Sequence, residues 1–152
     1  MKINQILKKE SIDVNCLIEE KDKLLDYLIE LIDDKSEVFD RKQAKKDVLE
    51  RESIMSTGVG KEIALPHAKT KASQNSSAAL CIIRNPIDFD SLDGEPVNIA
   101  FLLLGPENNV GLHLKLLSKV SRLLNNDSFR LQLLDCKSSD DVLKLFNSME
   151  EV

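Results

Sequence analysis

The stretch from Arg51 to Ala68, RESIMSTGVGKEIALPHA, holds the groups in this chain best suited to handling a phosphoryl group. Arg51 offers a planar fork of N–H donors that matches phosphate oxygens. Ser56 and Thr57 add hydroxyl donors. Gly58 and Gly60 are free to take positive φ, which lets backbone N–H groups converge on an anion. Ile63, Ala64 and Leu65 read as a short buried strand, after which Pro66 fixes its own φ and biases Leu65 towards an extended conformation. His67 then falls at a strand end with little freedom to move. A nucleophilic imidazole beside an anion cradle is the equipment of a phosphohistidine carrier.

Simpler readings compete with that one. A lone histidine more often fills a hydrogen-bonded core or surface position. Arg51, at the end of a helix, also simply complements the helix dipole. Gly58-Val59-Gly60-Lys61 invites a P-loop, but a G-x-x-x-x-G-K-[ST] match ending there needs glycine at 55 and a hydroxyl at 62. The chain has Met55 and Glu62, so the P-loop is rejected.

The same stretch resembles the active-site signature of the fructose/mannitol-type enzyme IIA domains of the bacterial phosphotransferase system, a family that includes the nitrogen-regulatory IIA proteins. Its usual form is R-E-x-x-x-S-T-G-[IV]-G-x-G-[IV]-A-[IL]-P-H. Arg51, Glu52, Ser56 to Gly60, Ile63, Ala64, Pro66 and His67 match it. The resemblance implies one EIIA type 2 domain over residues 1–152 and a phosphoryl relay. In that relay His67 accepts from an HPr-type carrier, and Arg51, Ser56, Thr57 and the backbone at Gly58 and Gly60 hold the phosphoryl oxygens. The group then moves to a IIB domain, or the phosphorylation state itself signals to regulated target proteins. No metal or organic cofactor is implied. A chain without IIB or IIC segments suits the regulatory branch better than sugar transport. The alternative is a binding module that keeps the fold without phosphotransfer, as in the cytoplasmic domain of anion exchangers.

The family also carries a second histidine in an H-L-x-x-L pattern near the phosphorylated one. The matching residue here is His113, in HisLeuLysLeuLeu. From the residues alone it reads as a helix-edge histidine. The resemblance implies a supporting role, and a helix N-terminus does favour anions. One position departs from the pattern: Glu62 stands where glycine is usual. Its carboxylate is expected to repel an arriving phosphoryl group or to demand a different backbone conformation.

The elements that must position these residues follow from periodicity and punctuation. The chain has 152 residues, 42% hydrophobic and 31% charged, which suits one soluble globular domain with a real core. A net charge of −5, no Trp and one Tyr exclude a nucleic-acid binder driven by phosphate neutralisation. Ile99 to Leu104 is the longest apolar run, too short to span a bilayer, and the N-terminus lacks a signal core. A cytoplasmic location is therefore expected. Cys16, Cys81 and Cys136 are widely spaced and read as reduced thiols acting as small core hydrophobes.

A helical turn is predicted near Ile3–Leu7 and a strand at Ile12–Cys16. Leu24, Leu25, Leu28, Leu31 and Ile32 recur at helical spacing between Glu20 and Asp34. Asp40 and Gln43 form a candidate capping box for a surface helix running to Ile54, whose last turn delivers Arg51. Residues 69–77 read as a polar loop and Ala78–Ile83 as an interior strand. Ile87 and Phe89 precede a hairpin-like return at Asp93-Gly94. Val97–Leu104 is a strand stopped by Gly105-Pro106. Helices follow at Asn109–Leu124, Asp127–Leu134 and Ser139–Met149. The expected fold is a single-domain, three-layer α/β/α sandwich with a mixed central sheet.

Overall fold

A computed structural model of the chain describes residues 1–33, 38 and 40–150. After a 3₁₀ turn at Ile3–Gln5 the elements run β1 (Leu7–Cys16), α1 (Lys21–Asp33), α2 (Arg41–Ile54), β2 (Gly58–Gly60), β3 (Ile63–Ala64) and β4 (His67–Thr70). They continue as β5 (Ser77–Ile87), β6 (Val97–Pro106), α3 (Val110–Leu124), α4 (Asp127–Leu134) and α5 (Ser139–Glu150). The strands form one mixed sheet in the order β1-β5-β6-β3-β2, with β4 also paired to β6. The predicted mixed sheet between helical layers is what the chain adopts.

β6 shows why the sheet sits at the centre. Ala100, Leu102 and Leu104 face one core with α1 and α2, while Ile99, Phe101 and Leu103 face another with α3, α4 and α5. All six are fully buried, the mark of a strand covered on both sides. In the first core Leu24, Leu28, Ile29 and Ile32 supply the face of α1. In the second, Phe129 and Phe146 meet edge to face with ring centroids 5.1 Å apart.

β3 and β4 run parallel to β6 in one register, Ile63 opposite Ile99 and His67 opposite Leu103. They are a single edge interrupted at Leu65-Pro66. Pro66 has no N–H to give, yet its carbonyl still accepts from the Leu103 amide at 3.0 Å. The interruption keeps alternation intact, so Ile63, Leu65 and His67 turn to the α3 layer.

Several element limits differ from expectation. β1 begins at Leu7, five residues earlier, because irregularities in its pairing with β5 break the alternation that marks a strand. The segment 69–77 is not all loop: Lys69 and Thr70 belong to β4 and pair with Gly105 and Pro106. β6 therefore runs through Gly105-Pro106 instead of stopping there. β5 continues to Ile87 and returns antiparallel in β6, with a turn in which the Gly94 amide donates to Ser91 O at 3.0 Å. Phe89, outside any strand, plugs the first core.

Asp40 caps α2 by accepting from the Gln43 amide, but the Gln43 side chain turns to Asp47 at 3.0 Å, so only half of the capping box forms. The predicted end of the preceding helix at Asp34 lies outside the described residues. Cys16, Cys81 and Cys136 are buried free thiols. Among the described residues no helix is long and apolar enough to cross a membrane.

Candidate active site

His67 opens β4, half-buried, on the sheet face that looks towards α3. Its Nδ1 lies 2.9 Å from the Leu65 carbonyl oxygen. A carbonyl only accepts, so this bond places the proton on Nδ1 and leaves the lone pair on Nε2. Leu65 is itself held, its amide donating to Thr57 O at 2.9 Å. Burial lowers the basicity of His67, and the Arg51 charge lowers it further against the opposing pull of Leu65 O and Glu52. A neutral, oriented imidazole results.

His113 lies in the first turn of α3, whose start is capped by Asn109 accepting from the Leu112 amide. It is only 3% exposed, and its ring centroid is 6.0 Å from that of His67 with the planes tilted by 48°. Burial pushes His113 down to about 4, with His67, when protonated, and the Lys69 charge adding to the effect. Its Nδ1 is buried, without a hydrogen-bond partner among the described residues, and turns to the backbone of β6 at Gly105. A Cβ at Gly105 would stand 2.8 Å from that nitrogen. The glycine is what lets the imidazole sit there. In the sequence Gly105 reads as a strand stop; a glycine inside a strand is also the signal of such a close approach.

Arg51, in the last turn of α2, donates from Nη1 to Met55 O at 2.9 Å, which ties the guanidinium to its own helix end. It lines a cavity of about 510 Å³ together with His67, Lys69, Glu107 and His113. Ile54, Val110, Leu114 and Leu117 supply the apolar part of that wall. The described residues hold no cluster of three or more His, Cys, Asp or Glu fit for a metal ion.

The structure brings Arg51, His67 and His113 together. Ser56, Thr57, Gly58 and Gly60 do not line the same cavity. Ser56 Oγ donates to Phe89 O at 2.9 Å and accepts from the Gly58 amide at 3.0 Å. A Cβ at Gly58 would meet Ser91 Oγ at 2.5 Å, so this glycine serves close packing on the 88–95 loop. Gly60 takes φ +106 beside Asp93. The Thr57 amide donates to the Glu52 carboxylate at 2.7 Å, and Thr57 Oγ1 donates to its other oxygen. Lys21 pairs with Glu52 at 3.0 Å and sits over the Phe89 ring. This knot joins the start of α1, the end of α2 and the segment that holds Leu65. Lys21 is not legible as part of this group, since nothing in its spacing links it to Glu52.

At Glu62 the second of the two expected consequences, a different backbone conformation, is what the structure shows. Glu62 and Lys61 both adopt left-handed backbone, φ 68 and 58. The Glu62 carboxylate accepts from Asn98 Nδ2 at 2.7 Å and lines a different cavity, with Lys61, Glu95, Asn98 and Arg130. The carboxylate is thus engaged by Asn98 and lies outside the lining of the cavity that holds His67. The position favours glycine for its φ, and Glu62 bears that conformation instead.

Residues 5–149 match the family described as phosphoenolpyruvate-dependent sugar phosphotransferase system, EIIA 2. The chain belongs to the EIIA type 2 family. It is 35% identical over 151 residues to the PTS system fructose-specific EIIABC component of Bacillus subtilis, covering 99% of this chain and 24% of that protein. A nitrogen regulatory protein homolog of Haemophilus influenzae is 30% identical, with 99% of this chain and 94% of that one covered. The crystal structure of nitrogen regulatory protein IIA-Ntr from Neisseria meningitidis superposes with a TM-score of 0.88 at 29% identity, covering 93% of this EIIA-family chain and 97% of its own. The chain thus spans about a quarter of the Bacillus relative and nearly all of the other two. EIIA domains are phosphotransfer components, which fits the oriented imidazole.

Proposed function

We propose that this EIIA-family chain is a phosphocarrier that accepts a phosphoryl group from an HPr-type protein on Nε2 of His67. The observation that carries this reading is the 2.9 Å bond from Nδ1 to Leu65 O, made beside Arg51 and His113 in one cavity. Neutral Nε2 attacks phosphorus in line as the bond to the donor breaks. Nδ1 keeps its proton, and the positive charge left on the ring is shared with the Leu65 carbonyl. Arg51 faces the equatorial oxygens, and the buried His113 donates from Nε2, the nitrogen not turned to Gly105. Ser56, Thr57, Gly58 and Gly60 act through Leu65, by holding the segment that fixes His67.

The phosphoryl group then passes to a IIB domain or acts as a regulatory signal. We favour the nitrogen-regulatory branch, which the 30% identity to the Haemophilus nitrogen regulatory protein homolog and the TM-score of 0.88 to IIA-Ntr support. The 35% identity to the fructose-specific relative pulls the other way. Label moving from His67 to a cysteine of a IIB partner would mark the transport branch.

The test of the acceptor is incubation with enzyme I, an HPr-type carrier and phosphoenolpyruvate. One acid-labile, hydroxylamine-sensitive phosphoryl group is expected, and His67→Ala should abolish it. Label that survives in the variant would refute the assignment.

A further inference from the structure

Lys69 stands two residues after His67, on the same face of β4. Ala68 joins the core under α1 and α2, and Thr70 is fully buried, so alternation turns His67 and Lys69 to the opposite, α3 side. Lys69 pairs with Gly105, the residue whose missing side chain makes room for His113. Its side chain lines the same cavity as His67, Arg51 and His113. Among the described residues it enters no ion pair. Its charge reaches His113, which it helps to keep neutral.

We propose that Lys69 is a phosphoryl-binding residue whose ammonium contacts an oxygen of the group carried on His67. The inference rests on the reading of His67 as the acceptor. A phosphoryl group brings roughly −1.5 to −2 charges at neutral pH. Asp47, Glu50 and Glu107 also line the cavity and oppose that charge. Arg51 supplies one cation, held at Met55 O. Lys69 supplies a second, as a compact charge on a flexible stem that can follow the group from donor to acceptor.

Phosphoramidate separates this role from a part in protein docking, because it presents no protein surface. In that reaction the bond from Nε2 to phosphorus forms, the P–N bond of phosphoramidate breaks, and the nitrogen leaves as ammonia after taking a proton from solvent. Lys69→Met should slow labelling of His67 by about ten-fold at low salt, less than a fully buried donor would. The loss should shrink at high salt, where an exposed charge is screened. Lys69→Arg should recover most of the rate, and thermal midpoints should not move. A Lys69→Met protein labelled as fast as wild type by phosphoramidate overturns the proposal, including the case where only transfer from the protein carrier is slowed. Wild-type protein that neither donor labels at His67 would instead sink the underlying reading of the acceptor.

Discussion

The imidazole of His113 occupies the space that a side chain at Gly105 would need, with Nδ1 2.8 Å from the position of a Cβ there. Gly105→Ala should therefore force the ring or the strand to move. Overpacking of this kind costs about 1–3 kcal/mol. Urea unfolding should show that loss, together with slower phosphorylation of His67. A variant of full stability and rate would mean that the ring is not held against β6.

His113→Ala tests the ring itself. His67 should still be labelled, because it supplies the nucleophile, but both acceptance and onward transfer should slow by about 10²–10³ if the donor is well aimed. Single-turnover labelling in both directions measures this. Unchanged rates would leave His113 as a packing residue only.

The low basicity of His113 also sets a pH dependence of stability. Its value in the fold is about 4, below the usual 6.5, so the unfolded chain binds a proton that the folded chain does not. Stability attributable to His113 is present above pH 6.5 and falls as pH drops from 6.5 towards 4. The full span is worth about 3 kcal/mol. Denaturation of wild type and His113→Gln across that window should show a steeper fall for wild type. Parallel curves would contradict the burial of a neutral ring.

Glu62→Gly should leave the rate of His67 labelling unchanged, since the carboxylate faces Asn98 in another cavity. A non-glycine residue in left-handed backbone costs roughly 1–2 kcal/mol. Glycine returns about half of that as extra freedom in the unfolded chain. A net gain of about 0.5–1 kcal/mol in unfolding free energy is expected. Faster labelling would revive the repulsion argument.

Lys21→Met should be costly although Lys21 lies outside the cavity lining. Among the described residues it leaves the buried Glu52 carboxylate with only Thr57 as partner, and breaking a buried pair costs about 3 kcal/mol. Unfolding measurements check the loss. The double variant Lys21→Met/Glu52→Gln should recover part of it, and no recovery would show that Lys21 acts by packing on Phe89 alone.

Much of this arrangement was legible in the sequence. The alternation of Val97–Leu104, the caps at Asp40 and Asn109, and the Pro-His pair were readable because they are local. The motif placed Arg51 and His67, and the H-L-x-x-L pattern placed His113. What stayed hidden is long-range. Lys21 meets Glu52 only after α1 and α2 pack, and Asn98 meets Glu62 only when β3 and β6 pair. Ser56 and the glycines read as an anion cradle because their types suit one. Ser56 Oγ instead donates to Phe89 O, and the Gly58 carbonyl accepts from the Leu92 amide, in a loop whose proximity no local pattern announces.

The ring nitrogen that carries the phosphoryl group is the most direct test of the account. Nitrogen-15 and phosphorus-31 NMR of the protein after labelling by the HPr-type carrier should show phosphorus bonded to Nε2 of His67. Nδ1 should keep its proton, as its 2.9 Å contact with Leu65 O requires. Phosphorus on Nδ1, or on any residue other than His67, would contradict it.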